Sequence, residues 1–219
     1  MSTMIAEKFH TGRPAVYTGH MPGFFIVIDG PDGSGTTTHA RLLADSLRSE
    51  ARKVALTSEP TDGPVAHRIR DFLEGKSNEV IDAEQLQILF CDDRAEHVRG
   101  TIQPALDNGK IVICDRYTFS TIAYGMASGA DIQQLQEINA AFPTPNVTIF
   151  TLPPLDVCLE RLSERSSKDL FEQRLMQEKV HAAYTLLAQE DPTIHVVDTS
   201  DEPARSAARI LSFVRQQLS

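Results

Sequence analysis

The sequence predicts an α/β fold, a parallel sheet of about five strands with helices on both faces. Three observations lead there. Short apolar runs alternate with segments of helical periodicity along most of the 219 residues. The first run drives straight into a glycine-rich turn, Asp29-Gly30-Pro31-Asp32-Gly33-Ser34-Gly35. The 41% apolar content supports one substantial core, so residues 23–219 read as a single domain behind a loose arm of residues 1–22.

In chain order, Phe24 to Asp29 has the length and apolar content of a buried strand, and Ala40, Leu43, Ala44 and Leu47 then recur at helical spacing. Val54 to Thr57 reads as a short strand, Asp82 to Leu106 as a long helix with Pro104 near its end, and Ile111 to Cys114 as a third strand. Val147 to Leu152 and Ile194 to Asp198 complete the strands, and Pro154 to Ser163, Arg174 to Gln189 and Pro203 to Leu218 read as helices. In an open sheet of this kind ligands gather beyond the carboxyl ends of the strands.

The glycine turn lies at such an end. In the pattern G-x-x-x-x-G-K-[ST], backbone N–H groups turn inward around phosphate oxygens, a lysine reaches the β- and γ-phosphates, and a hydroxyl ligates Mg²⁺. Gly30, Gly35 and Thr37 hold the first, sixth and eighth places, but Thr36 stands where the pattern has lysine. Taken alone, the turn is equally compatible with a plain strand-to-helix connection. The strand before it and the helix after it favour phosphate, because they aim a helix N-terminus at the turn. Any cation over the γ-phosphate then has to come from elsewhere in the chain.

Two further strands end in polar residues, Ser58-Glu59-Pro60 and Asp115-Arg116-Tyr117. Asp115 can orient water or Mg²⁺, and Arg116 offers a fork of donors to a phosphate. On the long helix Phe90 and Arg94 share a face, where they could hold a planar base; spacing alone favours core packing and a surface ion pair. Arg161, Arg165, Lys168 and Arg174 surround Ser166-Ser167 where helical periodicity weakens. That stretch reads equally as a basic flap, about residues 163–174, or as a solvated charge run.

A net charge of −9 speaks against a general nucleic-acid or anionic-membrane surface and for a small anionic partner held by a few local arginines. The three cysteines are widely spaced in apolar contexts, none at ligand spacing with a histidine, as expected of reduced thiols in a cytoplasmic protein. Neither a signal peptide nor a membrane-spanning run is legible.

Together these motifs, in their order from Phe24 to the C-terminus, resemble the thymidylate kinase family of P-loop NTPase fold. The resemblance implies Mg-ATP as phosphoryl donor, dTMP as acceptor, a short lid and a homodimer with the long helix at its interface. It implies that Gly30, Asp32, Gly33, Ser34, Gly35, Thr36, Thr37 and Thr38 form the ATP phosphate loop, with Thr37 and Asp115 at Mg²⁺. Asp32 would also lie near the acceptor's 3′-hydroxyl, Glu59 in the Glu-Pro segment beside the acceptor, and Arg70 on the acceptor phosphate. The Leu-Phe-x-x-x-Arg block, Leu89 to Arg94, implies that Phe90 stacks on thymine and Arg94 bonds its carbonyl edge. In the block from Asp115 to Tyr124, Arg116 would bridge the acceptor phosphate, Thr121 would lie near the base, and Tyr124 would crowd the 2′ position. Arg165 would be the catalytic lid arginine, acting with Arg116 and Asp115.

The chain departs from the family pattern at Thr36, at Ser58 before Glu-Pro, at Asp92, at Gly125 and at Leu170. The resemblance places Gly125 and Asp92 close to the base, which leaves a kinase for another nucleoside monophosphate or a deoxynucleoside as an alternative. Thr36 leaves a non-catalytic nucleotide-binding relative as another.

Overall fold

The computed structural model describes residues 23–163 and 170–219. Five strands, β1 (Phe24–Asp29), β2 (Val54–Ser58), β3 (Ile111–Asp115), β4 (Val147–Thr151) and β5 (His195–Val197), form one sheet in the order β2-β3-β1-β4-β5. Every neighbouring pair is parallel. The carboxyl ends of β2, β3 and β1 therefore share one edge, with Ser58, Asp115 and Ile28 in register.

Alternation along β1 explains the layers. Ile26 and Ile28 point to one face, where they pack with Leu43 and Leu47 of α1 (Thr36–Ser49) and Ile210 and Val214 of α9 (Pro203–Gln217). Phe25 and Val27 point to the other face, against Ile102, Ala105 and Tyr117. A third cluster, built on Phe150 of β4, joins Ile122 and Ala123 of α5 (Thr118–Ser128) to Val180, Tyr184 and Leu187 of α8 (Leu170–Glu190). Fully burying one such large side chain contributes about 1.5–3 kcal/mol.

All five expected strands are present, with bounds shifted by a residue or so. The long helix is interrupted. It runs as α3 (Ala83–His97), passes through a π-helical stretch at Val98–Ile102, and resumes as α4 (Gln103–Asp107). Pro104 sits in the first turn of α4, directly after the π-helical stretch. Asp82 starts α3 with a capping box: its carboxylate accepts from Gln85 N at 2.8 Å, and Gln85 Oε1 accepts from Asp82 N at 3.1 Å.

Helices α2 (Pro64–Leu73) and α6 (Ile132–Asn139) have no counterpart in the sequence reading, and α5 was legible only as a motif. Helix α7 spans Leu155–Ser163. The expected arm, residues 1–22, and most of the expected lid, with Arg165 and Lys168, lie outside the described residues. No helix among the described residues is long and apolar enough to cross a membrane.

Candidate active site

The turn from β1 to α1 is a glycine-rich loop of buried and half-buried residues. Gly33 (φ 79°) and Gly35 (φ 91°) adopt left-handed conformations that carry the chain around it. A Cβ on Gly33 would lie 2.5 Å from Cys158 O, so the loop packs directly on α7. Ser34 is tied down from two sides: its hydroxyl meets Thr151 Oγ1 at 2.8 Å, and its carbonyl accepts from Thr199 Oγ1 at 2.6 Å. Gly35, at the N-cap of α1, supplies no side-chain acceptor, so the first N–H groups of the helix are left for a ligand.

Thr36, at the lysine's place in the pattern, is buried. Arg161 of α7 instead donates from outside the loop to Gly33 O at 3.2 Å and to Thr199 O at 2.7 Å. Below the loop, His39 Nδ1–H donates to Gly35 O at 2.8 Å while Nε2 meets Ser206 Oγ at 2.7 Å. Burial pushes the His39 imidazole below its ordinary value.

At the next strand end Thr37 Oγ1 donates to Asp115 Oδ2 at 2.5 Å. The other carboxylate oxygen, Asp115 Oδ1, is buried without a partner among the described residues. A hydroxyl and a half-satisfied carboxylate side by side form a hard oxygen donor set, which fits Mg²⁺.

Arg116 lies across the mouth of the loop. Its NH1 donates to Gly30 O at 2.8 Å and its NH2 to Asp32 Oδ1 at 2.5 Å, and its guanidinium stands 5.8 Å from the Tyr124 ring centroid. Asp32 also accepts from Gln177 Nε2 of α8 at 3.2 Å. The Tyr124 hydroxyl is buried beside this cluster, next to Asp32 and Gln177. Burial raises the Tyr124 phenol above its ordinary value, which keeps it a neutral donor.

The far end of the crevice is a buried network centred on Glu59 and Arg94. Arg94 Nε donates to Glu59 Oε2 at 2.9 Å and NH2 to Thr121 Oγ1 at 3.0 Å, and NH1 donates to Asn139 Oδ1. Its guanidinium lies 4.9 Å from the Tyr117 ring centroid and 5.6 Å from that of Phe142. Glu59 Oε1 meets His97 Nδ1 at 3.0 Å, and His97 Nε2 meets Thr57 Oγ1 at 2.6 Å. Glu59, His97 and Cys114 thus bring three potential ligating atoms within 4.8 Å of one another, a proximity that sequence spacing did not disclose. Glu59 is already neutralised by Arg94, and burial holds the Cys114 thiol well above its ordinary value. Phe90 is half-buried on the same helix as Arg94. Arg70 of α2 donates to Pro60 O at 3.1 Å and to Thr61 O, which sets it beside the loop after β2.

The structure therefore brings together the loop, Thr37, Asp115, Arg116, Asp32 and Tyr124 at one place, and Glu59, Arg94 and Thr121 at another. The surface ion pair that spacing favoured for Arg94 is not what forms: its side chain is only 1% exposed and pairs with Glu59, 35 residues away in sequence. Arg174 is exposed and paired with Glu178 on its own helix. Gly125 lies where α5 crosses α6, and a Cβ there would stand 2.6 Å from Leu135 Cδ1. Asp92 is exposed. Sequence reasoning missed Gln177, Tyr184 and Asn139, polar residues in helical segments whose inward direction only the packing reveals.

Comparison with known proteins bears on this geometry. The family model described as thymidylate kinase matches residues 28–210. A protein of Pyrococcus horikoshii named "Probable thymidylate kinase" is 37% identical over 204 residues, covering 90% of this chain and 98% of that protein. The thymidylate kinase of Pseudomonas fluorescens is 36% identical over 204 residues, 90% of this chain and 97% of its own. That of Desulfotalea psychrophila is 37% identical over 169 residues, 76% and 83% respectively.

Proposed function

The chain belongs to the thymidylate kinase family, and from that premise we propose that it transfers the γ-phosphoryl of Mg-ATP to dTMP, giving dTDP and ADP. One observation supports the site assignment above the others. Asp115 Oδ1, buried beside the Thr37 hydroxyl at the phosphate loop and without a partner among the described residues, calls for a cation or a polar ligand.

In this reading the N–H groups of Gly33 to Thr37 hold the β-phosphate, with Ser34, Thr36 and Thr38 completing the loop. Thr37 and Asp115 would hold Mg²⁺, which when bound offsets negative charge on the β- and γ-oxygens. The acceptor's phosphate lies between Arg116 and Arg70, its sugar against Asp32 and Tyr124, and its base between Phe90 and the floor formed by Thr121 and Arg94. Glu59 holds Arg94 in place, and Arg94 would donate to a base carbonyl. An acceptor phosphate oxygen attacks the γ-phosphorus as the bond to the bridging oxygen of ADP breaks. The attacking oxygen is already ionised, so no general base is needed; alignment and cationic side chains carry catalysis. Arg165 would supply the lid cation, and α3 the surface of a homodimer in the cytoplasm.

The test is ADP release with Mg-ATP against a panel of nucleoside monophosphates. Turnover with dTMP well above that with the others supports the reading; turnover with none leaves a nucleotide binder. Arg165→Ala is expected to lower kcat on the order of a thousandfold or more, and near-normal turnover of that variant refutes the lid assignment.

A further inference from the structure

Arg116 is one of two non-glycine residues with positive φ among the described residues, at 69°. For an arginine such a backbone is strained, and it persists only where the surroundings hold it. Without it the guanidinium could not turn back over Gly30.

Those surroundings are specific. Arg116 N donates to Ile28 O at 2.9 Å, and its carbonyl accepts from Cys114 Sγ at 3.1 Å. The peptide after it is held by Asp29, whose Oδ2 accepts from Tyr117 N and from Ser120 N, both at 3.1 Å. The other oxygen, Oδ1, accepts from Ser120 Oγ at 2.6 Å, from Tyr184 Oη at 2.7 Å and from Gly30 N at 3.0 Å. One fully buried carboxylate thus joins the first peptide of the phosphate loop, the first turn of α5 and α8. The phosphate-loop pattern begins one residue later and assigns Asp29 nothing. It touches no place where a substrate could sit, yet three of its five donors belong to Tyr117 and Ser120, the residues that follow Arg116. Ser120 Oγ also lies 3.2 Å from Arg116 NH1, so the same cluster orients the guanidinium itself.

We infer that Asp29 is a positioning residue for phosphoryl transfer: it locks the left-handed backbone of Arg116 so that the guanidinium spans Gly30 O and Asp32 at the phosphate site. This rests on the reading of Arg116 as a phosphate-binding arginine of a dTMP kinase. Asn at 29 can still accept from the two backbone N–H groups through its oxygen, and its amide can donate to the two hydroxyls. It lacks the charge, and it leaves Gly30 N unpaired.

The experiment is a double-mutant cycle on kcat/KM for dTMP with wild type, Asp29→Asn, Arg116→Ala and the double variant, each checked for folding by circular dichroism. Misplacement of a positioning group by about 1 Å typically costs about 100-fold, and that is the loss expected for Asp29→Asn alone. In the Arg116→Ala background the same change is expected to cost less than about threefold, because the residue through which it acts is gone. Tyr184→Phe, which removes one donor and keeps the ring, is expected to show the same non-additivity on a smaller scale, and it serves if Asp29→Asn does not fold. Equal losses in both backgrounds, or a folded Asp29→Asn with wild-type kcat/KM, overturn the inference. Failure of wild type to phosphorylate dTMP would instead overturn the functional reading beneath it.

Discussion

Replacing Glu59 by Gln isolates the charge at the centre of the base-end network. Gln keeps the shape, an oxygen for Arg94 and a nitrogen for His97 Nδ1, so hydrogen-bond geometry survives while the negative charge is lost. Arg94 would then be a cation with a side chain 1% exposed among neutral groups, the retained amide oxygen, Asn139, Thr121 and two aromatic rings. Removing one partner of a buried ion pair costs about 3–5 kcal/mol, and the retained acceptor places this variant near about 3 kcal/mol. For a chain of this size each kcal/mol moves Tm by about 2–4 °C, so the expected fall is about 6–12 °C. Urea denaturation followed by far-ultraviolet circular dichroism gives the free energy directly, and thermal melts give the shift. The companion Glu59→Gln/Arg94→Met removes both charges and should recover part of the loss, a coupling of more than about 1.5 kcal/mol. A loss below about 1 kcal/mol for Glu59→Gln would refute the reasoning. It would mean that the ring faces and neutral oxygens hold the guanidinium without the carboxylate.

Two other changes address the loop. Thr36→Lys is expected to alter kcat/KM for ATP by less than about tenfold, equivalent to about 1.4 kcal/mol, because Arg116 and Arg161 already bring charge to the loop; a rise from no activity to robust turnover would show the natural loop to be disabled. His39 has a folded pKa depressed by burial below its ordinary 6.5, so the unfolded chain binds the proton first as pH falls. Its contribution is fully present above about pH 6.5 and declines as pH falls through the window down to the folded value. His39→Gln should flatten that part of the stability–pH curve measured by urea denaturation, and an unchanged slope would place the titration elsewhere.

Much of this site was legible because its parts lie at strand ends and come with turn chemistry. Gly33, Gly35 and Thr37 announce a loop, and Asp115-Arg116 follows an apolar run too uniform to stop by chance at solvent. The parts that were not legible depend on contacts between distant segments. Glu59 and Arg94 are 35 residues apart, Asp32 and Gln177 are 145 apart, and Asp29 and Tyr184 are 155 apart. Periodicity places Gln177 and Tyr184 on a helix, but the inward face of that helix is settled by its packing on Phe150. Gly125 is a similar case. It departs from the family pattern beside a recognition block, and only the structure shows that it also lies against Leu135 where α5 crosses α6.

The same distinction clarifies Thr36. In a loop with lysine, the cation rises from the first turn of the helix, next to N–H groups that already carry partial positive charge. Here two guanidiniums reach inward from other elements and anchor on the loop's own carbonyls, Arg116 on Gly30 O and Arg161 on Gly33 O. Each anchor fixes a cation at the rim of the cradle without using the N–H groups inside it. Charge supplied from the rim depends on the elements that carry it. Arg116 relies on a strained backbone held by Asp29, and Arg161 on α7 staying packed against Gly33. A lysine in the loop would be insensitive to both, so the loss of that residue shifts control of phosphate binding from the loop itself to the way β3, α5 and α7 are held around it.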